Sequence, residues 1–111
     1  MKIGTREREG VTILDPKGKI TIGSGDVALR DSVRGALDSG ATKILINLEH
    51  VSTIDSSGIG ELVAAFTTVS NRGGNLKLSN LSPKVTDILQ ITQLITVFQV
   101  EDSEEAALSA F

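Results

Sequence analysis

The residues of this chain that could carry chemistry are concentrated in the stretch TIDSSGIGEL, residues 53–62. Two adjacent serines, Ser56 and Ser57, follow Asp55 and precede a Gly-Ile-Gly sequence. A serine hydroxyl can cap a helix, attack a substrate as a nucleophile or accept a phosphoryl group. The residues around the two serines indicate which of these roles the chain supports.

The simplest role is that of a helix cap. Asp55, Ser56 and Ser57 are all residue types whose side-chain oxygen accepts a hydrogen bond from the first turn of a helix. One cap needs only one such residue, however, and Gly58 and Gly60 each cost a helix roughly 0.5–1 kcal/mol relative to alanine. We therefore expect these glycines to leave the backbone open to a partner protein or a phosphate, with Ile59 projecting outward as an apolar contact.

Hydrolysis by a nucleophilic serine is poorly supported. Such a serine needs a base within hydrogen-bond reach, and the only histidine, His50, precedes Ser56 by six residues in a connecting segment. The Gly-x-Ser-x-Gly pattern of hydrolases is absent around both serines. We expect no catalytic residue.

Other site chemistries lack the residues that they need. No glycine-rich segment ends in Gly-Lys-Ser or Gly-Lys-Thr, as a P-loop does. A phospho-aspartate receiver would use Asp55 as its acceptor, but it also needs an early acidic pair for Mg²⁺, and the early strands supply at most Asp15. The carboxylates that could otherwise bind a metal suit the start of a helix better; they are Glu101, Asp102, Glu104 and Glu105. We expect no metal and no cofactor.

Composition restricts the partners. With 14 acidic against 11 basic residues, a pI near 5.0 and no Trp or Tyr, the chain offers neither a positive field nor a stacking platform for nucleic acid. No apolar run approaches the roughly 20 residues of a membrane helix, and the charged N-terminal segment is unlike a signal peptide. The absence of cysteine suits a reducing compartment. We expect a cytoplasmic protein with no nucleic acid or membrane partner.

Short apolar segments predict the strands that position the serines. The opening predicts a hairpin, in which residues 3–9, 11–14 and 19–22 are extended and the sequence DPKG (15–18) forms a turn. The nearly continuous apolar run at 43–48 is typical of a central strand covered on both faces. Two further strands are predicted at 75–79 and 97–100.

Apolar residues at three- and four-residue spacing predict four helices. The first covers 24–39, with Ser24 or Asp26 as its cap, and the second begins near Ser57. The third has Ser82 as its N-cap and Pro83 at its first position. The fourth covers 102–111, with Asp102 and Glu105 as a capping pair.

The resulting order of elements is β-β-α-β-α-β-α-β-α. Strands that alternate with helices indicate parallel pairing with right-handed crossovers, so the helices should pack against the sheet. We therefore expect an α/β fold in a single domain over residues 1–111, with a mixed sheet of four to five strands and about four helices.

The stretch INLEHVSTIDSSGIGEL (46–62) resembles the hallmark of bacterial anti-sigma factor antagonists, which are STAS domains. The likeness continues in GKITI (18–22), in GGNLKLSNLSPKV (73–85) and in the acidic, alanine-containing last helix, and so covers essentially the whole chain. It implies a STAS-like fold and a binding module that is controlled by phosphorylation, not an enzyme.

In that family, the serine directly after the aspartate, here Ser56, is phosphorylated by a partner that is both a serine kinase and an anti-sigma factor. The resemblance implies that the unmodified protein captures this partner, that phosphate on Ser56 disfavours the complex, and that a serine phosphatase reverses the modification. Asp55 and the residues at 57–60 would surround the acceptor and contribute to the partner interface.

One position departs from the family pattern. Where family members often carry an aspartate near the acceptor, this chain has Thr21, which keeps a hydroxyl but lacks the charge. Two questions stay open on the sequence alone. Ser56 could be only a cap, in a STAS scaffold or a subunit of a larger signalling or transport-associated assembly, and the chain could be monomeric or form a weak homodimer.

Overall fold

The computed structural model describes all 111 residues and contains a six-stranded sheet and four α-helices. The expected α/β fold class is confirmed, with six strands where the sequence predicted four to five. The elements are β1 (Lys2–Arg8), β2 (Val11–Ile20), α1 (Asp26–Asp38), β3 (Lys43–Asn47), β4 (Val51–Ile54), α2 (Ser56–Asn71), β5 (Asn75–Ser79), α3 (Pro83–Ile91), β6 (Gln99–Glu101) and α4 (Glu104–Ala110), with a 3₁₀ turn (Leu94–Thr96) before β6.

The sheet has the strand order β1-β2-β3-β5-β6, and β4 pairs with the far end of β2. Only β1 and β2 are antiparallel, whereas all other pairs are parallel. β2 is long enough to serve two neighbours, since Leu14 lies opposite Ile46 of β3 and Ile20 lies opposite Ile54 of β4. The end of β2 therefore extends beyond β3 and, with β4, forms the platform on which α2 begins.

The turn predicted at DPKG is wrong, because residues 15–18 lie inside β2. The chain reverses instead at Glu9 and Gly10, which both have positive φ (54° and 78°), as a tight hairpin requires. Pro16 falls between the pairing with β3 and the pairing with β4. At Pro16, β1 is the only strand beside β2, so this position resembles one in an edge strand. Proline, which lacks an N–H, is tolerated in edge strands.

The core is divided between the two faces of the sheet. On one face, α1, α2 and α3 cover a cluster of 18 buried residues that includes Leu14, Ile20 and Leu62. On the other face, Ala107 and Leu108 of α4 pack in a cluster of five with residues of β2 and β3. None of the helices is both long and apolar enough to span a membrane.

The helix starts agree only in part with the predictions. Ser82 caps α3 through the Val85 N–H, and Pro83 is its first residue, as predicted. α1 begins after Gly25 without a side-chain cap, so neither Ser24 nor Asp26 has the role predicted for it. α4 is capped by Ser103, not by the pair of Asp102 and Glu105.

Glu104, the first residue of α4, fastens this helix to the opposite edge of the sheet. Its carboxylate accepts from Nη2 of Arg6 and from Nη1 of Arg8, each at 2.5 Å, and from the Asn47 amide at 3.2 Å. The Glu104 side chain is 11% exposed. The hydrogen bond from Arg6 lowers the pKa of Glu104 to about 2, against the opposing effect of burial, and Arg8 and Asn47 add to the shift.

We expect Glu104→Gln to lower the free energy of unfolding by about 1–2 kcal/mol at pH 7, since water screens the half-exposed arginines. The pKa of Glu104 is lower in the folded chain than its ordinary value of 4.5. Its contribution is therefore complete above pH 4.5 and is lost as the pH falls through 2. Urea unfolding between pH 7 and 2 should show the two proteins converging in acid.

The matched control is Glu105→Gln, because the Glu105 side chain is 74% exposed and reaches only Arg8, at 3.4 Å. Its stability should stay close to that of the parent chain across the same pH range. Equal losses for the two variants, or a difference that persists at pH 2, would contradict the role assigned to the Glu104 carboxylate.

Candidate functional site

The DSSG segment forms the junction between β4 and α2, at the carboxyl ends of β4 and β2. Asp55 is the N-cap of α2, and Ser56 is its first residue, one position earlier than the sequence predicted. Ser56 is exposed, whereas Ser57 is half-buried. Of the two serines, Ser56 is therefore the more exposed residue.

The carboxylate of Asp55 joins two segments of the chain. Its Oδ1 accepts from the Gly58 N–H at 2.9 Å, which is the cap of α2, and its Oδ2 accepts from the Ile22 N–H at 3.0 Å, in the loop between β2 and α1. The hydrogen bond from Ile22, followed by that from Gly58, lowers the pKa of Asp55. The group that caps α2 is thus an ionised carboxylate, and both serine hydroxyls are left out of the cap.

Gly58 is required by packing inside the chain. A Cβ at this position would overlap the carbonyl oxygen of Ile20 and lie 2.6 Å from a side-chain carbon of Ile54. The expectation that both glycines open the backbone to a partner therefore needs correction for Gly58, which is buried. Gly60 is exposed, and a Cβ there would meet nothing within 4 Å.

The other predicted residues surround this junction. The Thr21 carbonyl accepts from the N–H groups of Ser24 and Asp26, at 2.9 and 3.4 Å, and so forms the turn that leads into α1. Ile59 is half-buried and packs against the core, so that only part of its side chain faces outward. Thr21 follows β2 and Ile59 lies in the first turn of α2, on the two segments that Asp55 joins.

Sequence reasoning missed Ile22. The sequence predicts a strand over 19–22 that would include this residue, but β2 ends at Ile20. Ile22 lies in the following loop and is 74% exposed. Val27, in the first turn of α1, is 49% exposed. The available signal was the Gly-Ser-Gly sequence after Ile22, which favours a loop over a strand and would have left this isoleucine without a core to enter.

His50 does not reach Ser56. Five residues separate them, and the four that form β4 alone span about 13 Å of extended chain. The His50 side chain is 60% exposed, and its Nε2 lies 3.9 Å from a Glu49 oxygen. The arrangement offers Ser56 no general base from this histidine.

The largest groove, of about 800 Å³, lies away from the serines, along β1 and the carboxyl end of β3. It is polar, and the charges of Arg6, Asp15 and Glu104 within it are paired with one another. No group of three His, Asp or Glu side chains comes together in a way that could hold a metal ion.

The sequence of the chain matches a known family over almost its full length. The family model described as the STAS domain matches residues 2–107. The chain belongs to the STAS domain family. This result agrees with the resemblance carried by the DSSG segment and by the order of strands and helices around it.

Relatives of this STAS chain include a protein named anti-sigma-B factor antagonist from Bacillus subtilis, which is 30% identical over 97% of both chains. A second, named anti-sigma F factor antagonist, from Paenibacillus polymyxa, is 24% identical over 98% of this chain and 93% of its own. Both are named for antagonism of another protein.

Solved structures share the fold of this STAS chain. The Thermotoga maritima protein TM1081 superposes with a TM-score of 0.89 at 26% identity, over 97% of this chain and 92% of that one. The Bacillus cell fate determinant SpoIIAA in its phosphorylated form superposes with a TM-score of 0.72 over 98% of both chains. At 22% identity, the second likeness concerns the fold alone.

We expect Gly58→Ala to destabilise the STAS chain, because the added methyl group must displace the end of β2 or the first turn of α2. Gly60→Ala is the matched control, one helical position beyond Ile59. It should raise the free energy of unfolding by about 0.5–1 kcal/mol, since alanine restricts the unfolded chain and fits an open helical position.

Thermal and urea unfolding of the two variants test this expectation. A Gly58→Ala variant as stable as the parent chain would show that the contact between α2 and β2 does not constrain this position.

Proposed function

We propose that this STAS protein is an anti-sigma factor antagonist of the cytoplasm, with Ser56 as its phosphate acceptor. In the unmodified form it binds an anti-sigma factor that is also a serine kinase, and the sigma factor is released. Phosphorylation of Ser56 by that partner disfavours the complex, and a serine phosphatase restores the binding form. The exposure of Ser56 at the first position of α2 is the observation that carries the proposal.

The surroundings of Ser56 suit a hydroxyl that is modified without unfolding the domain. The bonds that fix the junction come from Asp55, so a change at the Ser56 oxygen leaves both of them in place. The N-terminus of a helix also favours an anion, because its first N–H groups have no partner from a preceding turn and its dipole is positive there. Phosphate adds a charge of about −1.5 to −2 at this position.

The effect of the phosphate is expected at the interface. A surface fitted to a neutral hydroxyl must accommodate a dianion and remove its water, and a coupling of roughly 1–3 kcal/mol changes the affinity about 5–150-fold. One modification can therefore decide whether the partner is held.

Thr21 bears on the rate at which Ser56 is modified. It stands where family members often carry an aspartate, and it lies in the segment that Asp55 fastens to α2 through Ile22. With a hydroxyl in place of a carboxylate, the acceptor has one negative charge fewer in its neighbourhood. We expect this difference to change kinase recognition or the rate of transfer and to leave the position of Ser56 unaltered.

Incubation with ATP and the serine kinases encoded in the same genome should add one phosphate to the parent chain, detected by intact mass and located by peptide mapping. Ser56→Ala should accept none and still bind the partner. Ser56→Asp should bind it at least about fivefold more weakly, because a charge enters the interface.

Ser57→Ala is the matched control, since Ser57 is the adjacent hydroxyl and is half-buried. It should still be phosphorylated. If no kinase modifies Ser56 and Ser56→Asp binds as well as the parent chain, Ser56 is only part of a helix start. The STAS scaffold or assembly subunit would then be the better reading.

A further inference from the structure

We infer that Ile22 and Val27 form an apolar anchor of the docking surface beside Ser56, and that they insert into an apolar pocket of the anti-sigma factor. This inference rests on the proposed function and adds a recognition site that the DSSG motif does not contain. The loop between β2 and α1 then binds the partner together with the first turn of α2.

Exposed apolar side chains are concentrated near the start of α1. The structure has five large apolar side chains that are substantially exposed. Ile22 lies in the loop before α1 and Val27 in its first turn, and Met1 reaches the same region from the N-terminus. The Met1 sulfur lies against Gly25, where an added Cβ would come within 2.9 Å of it. Ile22 leaves 74% of its surface in water, and together with Val27 and Met1 it places apolar surface in one region, which is typical of an interaction site.

The loop that carries Ile22 is hydrogen-bonded to the residue that precedes the proposed acceptor. The Ile22 N–H donates to Oδ2 of Asp55 at 3.0 Å, and Asp55 directly precedes Ser56 in the chain. The carboxylate that caps α2 therefore also fixes the backbone from which the Ile22 side chain projects. A partner that covers Ser56 therefore meets, next to it, a loop whose backbone at Ile22 is already fixed.

The charged side chains near Ile22 and Val27 already have partners within the chain. Asp55 accepts from two backbone N–H groups, and Asp26 accepts from those of Gly23 and Val27, at 3.1 and 2.8 Å. Nearby, Arg30 of α1 is paired with Glu61 of α2 at 2.7 Å. Because these charges already have partners within the chain, an apolar surface can approach Ile22 without leaving a charge newly unpaired.

A protein pocket suits this patch better than a small molecule. The largest groove lies elsewhere, along β1, and is polar, and neither Ile22 nor Val27 lines any of the grooves of the structure. Apolar side chains that project from one partner and fill a pocket of the other are typical anchors of protein interfaces. The relatives named as antagonists of anti-sigma factors indicate which class of protein supplies the pocket.

The test measures binding of Ile22→Ser and Val27→Ser, unphosphorylated, to a panel of purified anti-sigma factors and serine kinases from the same genome. We expect Ile22→Ser to weaken the complex about tenfold or more and Val27→Ser to weaken it less, in proportion to the apolar surface that each exposes. The unfolding midpoints of both variants should match the parent chain.

Ile91→Ser is the matched control, because Ile91 is 81% exposed at the end of α3 and takes no part in the hydrogen bonds that Asp55 accepts. Its binding should equal that of the parent chain. Equal affinities for Ile22→Ser and the parent chain would overturn the inference, as would equal losses for Ile22→Ser and Ile91→Ser.

The test separates this inference from the proposed function. Both fail if the parent chain binds no member of the panel and Ser56 accepts no phosphate. Only the anchor fails if the parent chain binds and is phosphorylated at Ser56 while Ile22→Ser behaves in the same way.

Discussion

The site depends on the close approach of the first turn of α2 to the end of β2. Gly58 makes this approach sterically possible, because any side chain there would overlap the Ile20 carbonyl. The Asp55 carboxylate fixes it, since one oxygen holds the helix at Gly58 and the other holds the loop at Ile22. Ser56 lies between these two constraints, on a rigid backbone and with its side chain in solvent.

Asp55 and Ser56 thus separate the stability of the junction from the proposed modification. Asp55 carries the cap, and the hydrogen bonds that it accepts favour its ionised form and lower its pKa. The Ser56 hydroxyl takes no part in the cap, so a modification of this serine leaves the hydrogen bonds of the junction in place. A modification of this kind changes the charge of the surface and leaves the strands and helices beneath it in place.

The rest of the molecule keeps the platform rigid. Three helices cover one face of the sheet, and the salt bridge between Arg30 and Glu61 links α1 to α2 close to the site. On the other face, Glu104 joins α4 to β1 through Arg6 and Arg8. Arg6 and Arg8 lie opposite Ile13 and Val11, at the other end of β2 from the DSSG junction.

The sequence by itself determined the α/β class, most of the elements and the place of the DSSG segment, because periodicity, Ser82-Pro83 and the position of Asp55 are local signals. It could not determine the path of β2 through Pro16, or that β4 is a strand. Both depend on which neighbours lie alongside a strand, and this is decided by pairing between residues distant in the chain. The reason for Gly58 and the exposure of Ile22 likewise arise only when the end of β2 meets α2. A contact between segments more than 30 residues apart leaves no pattern in either segment alone.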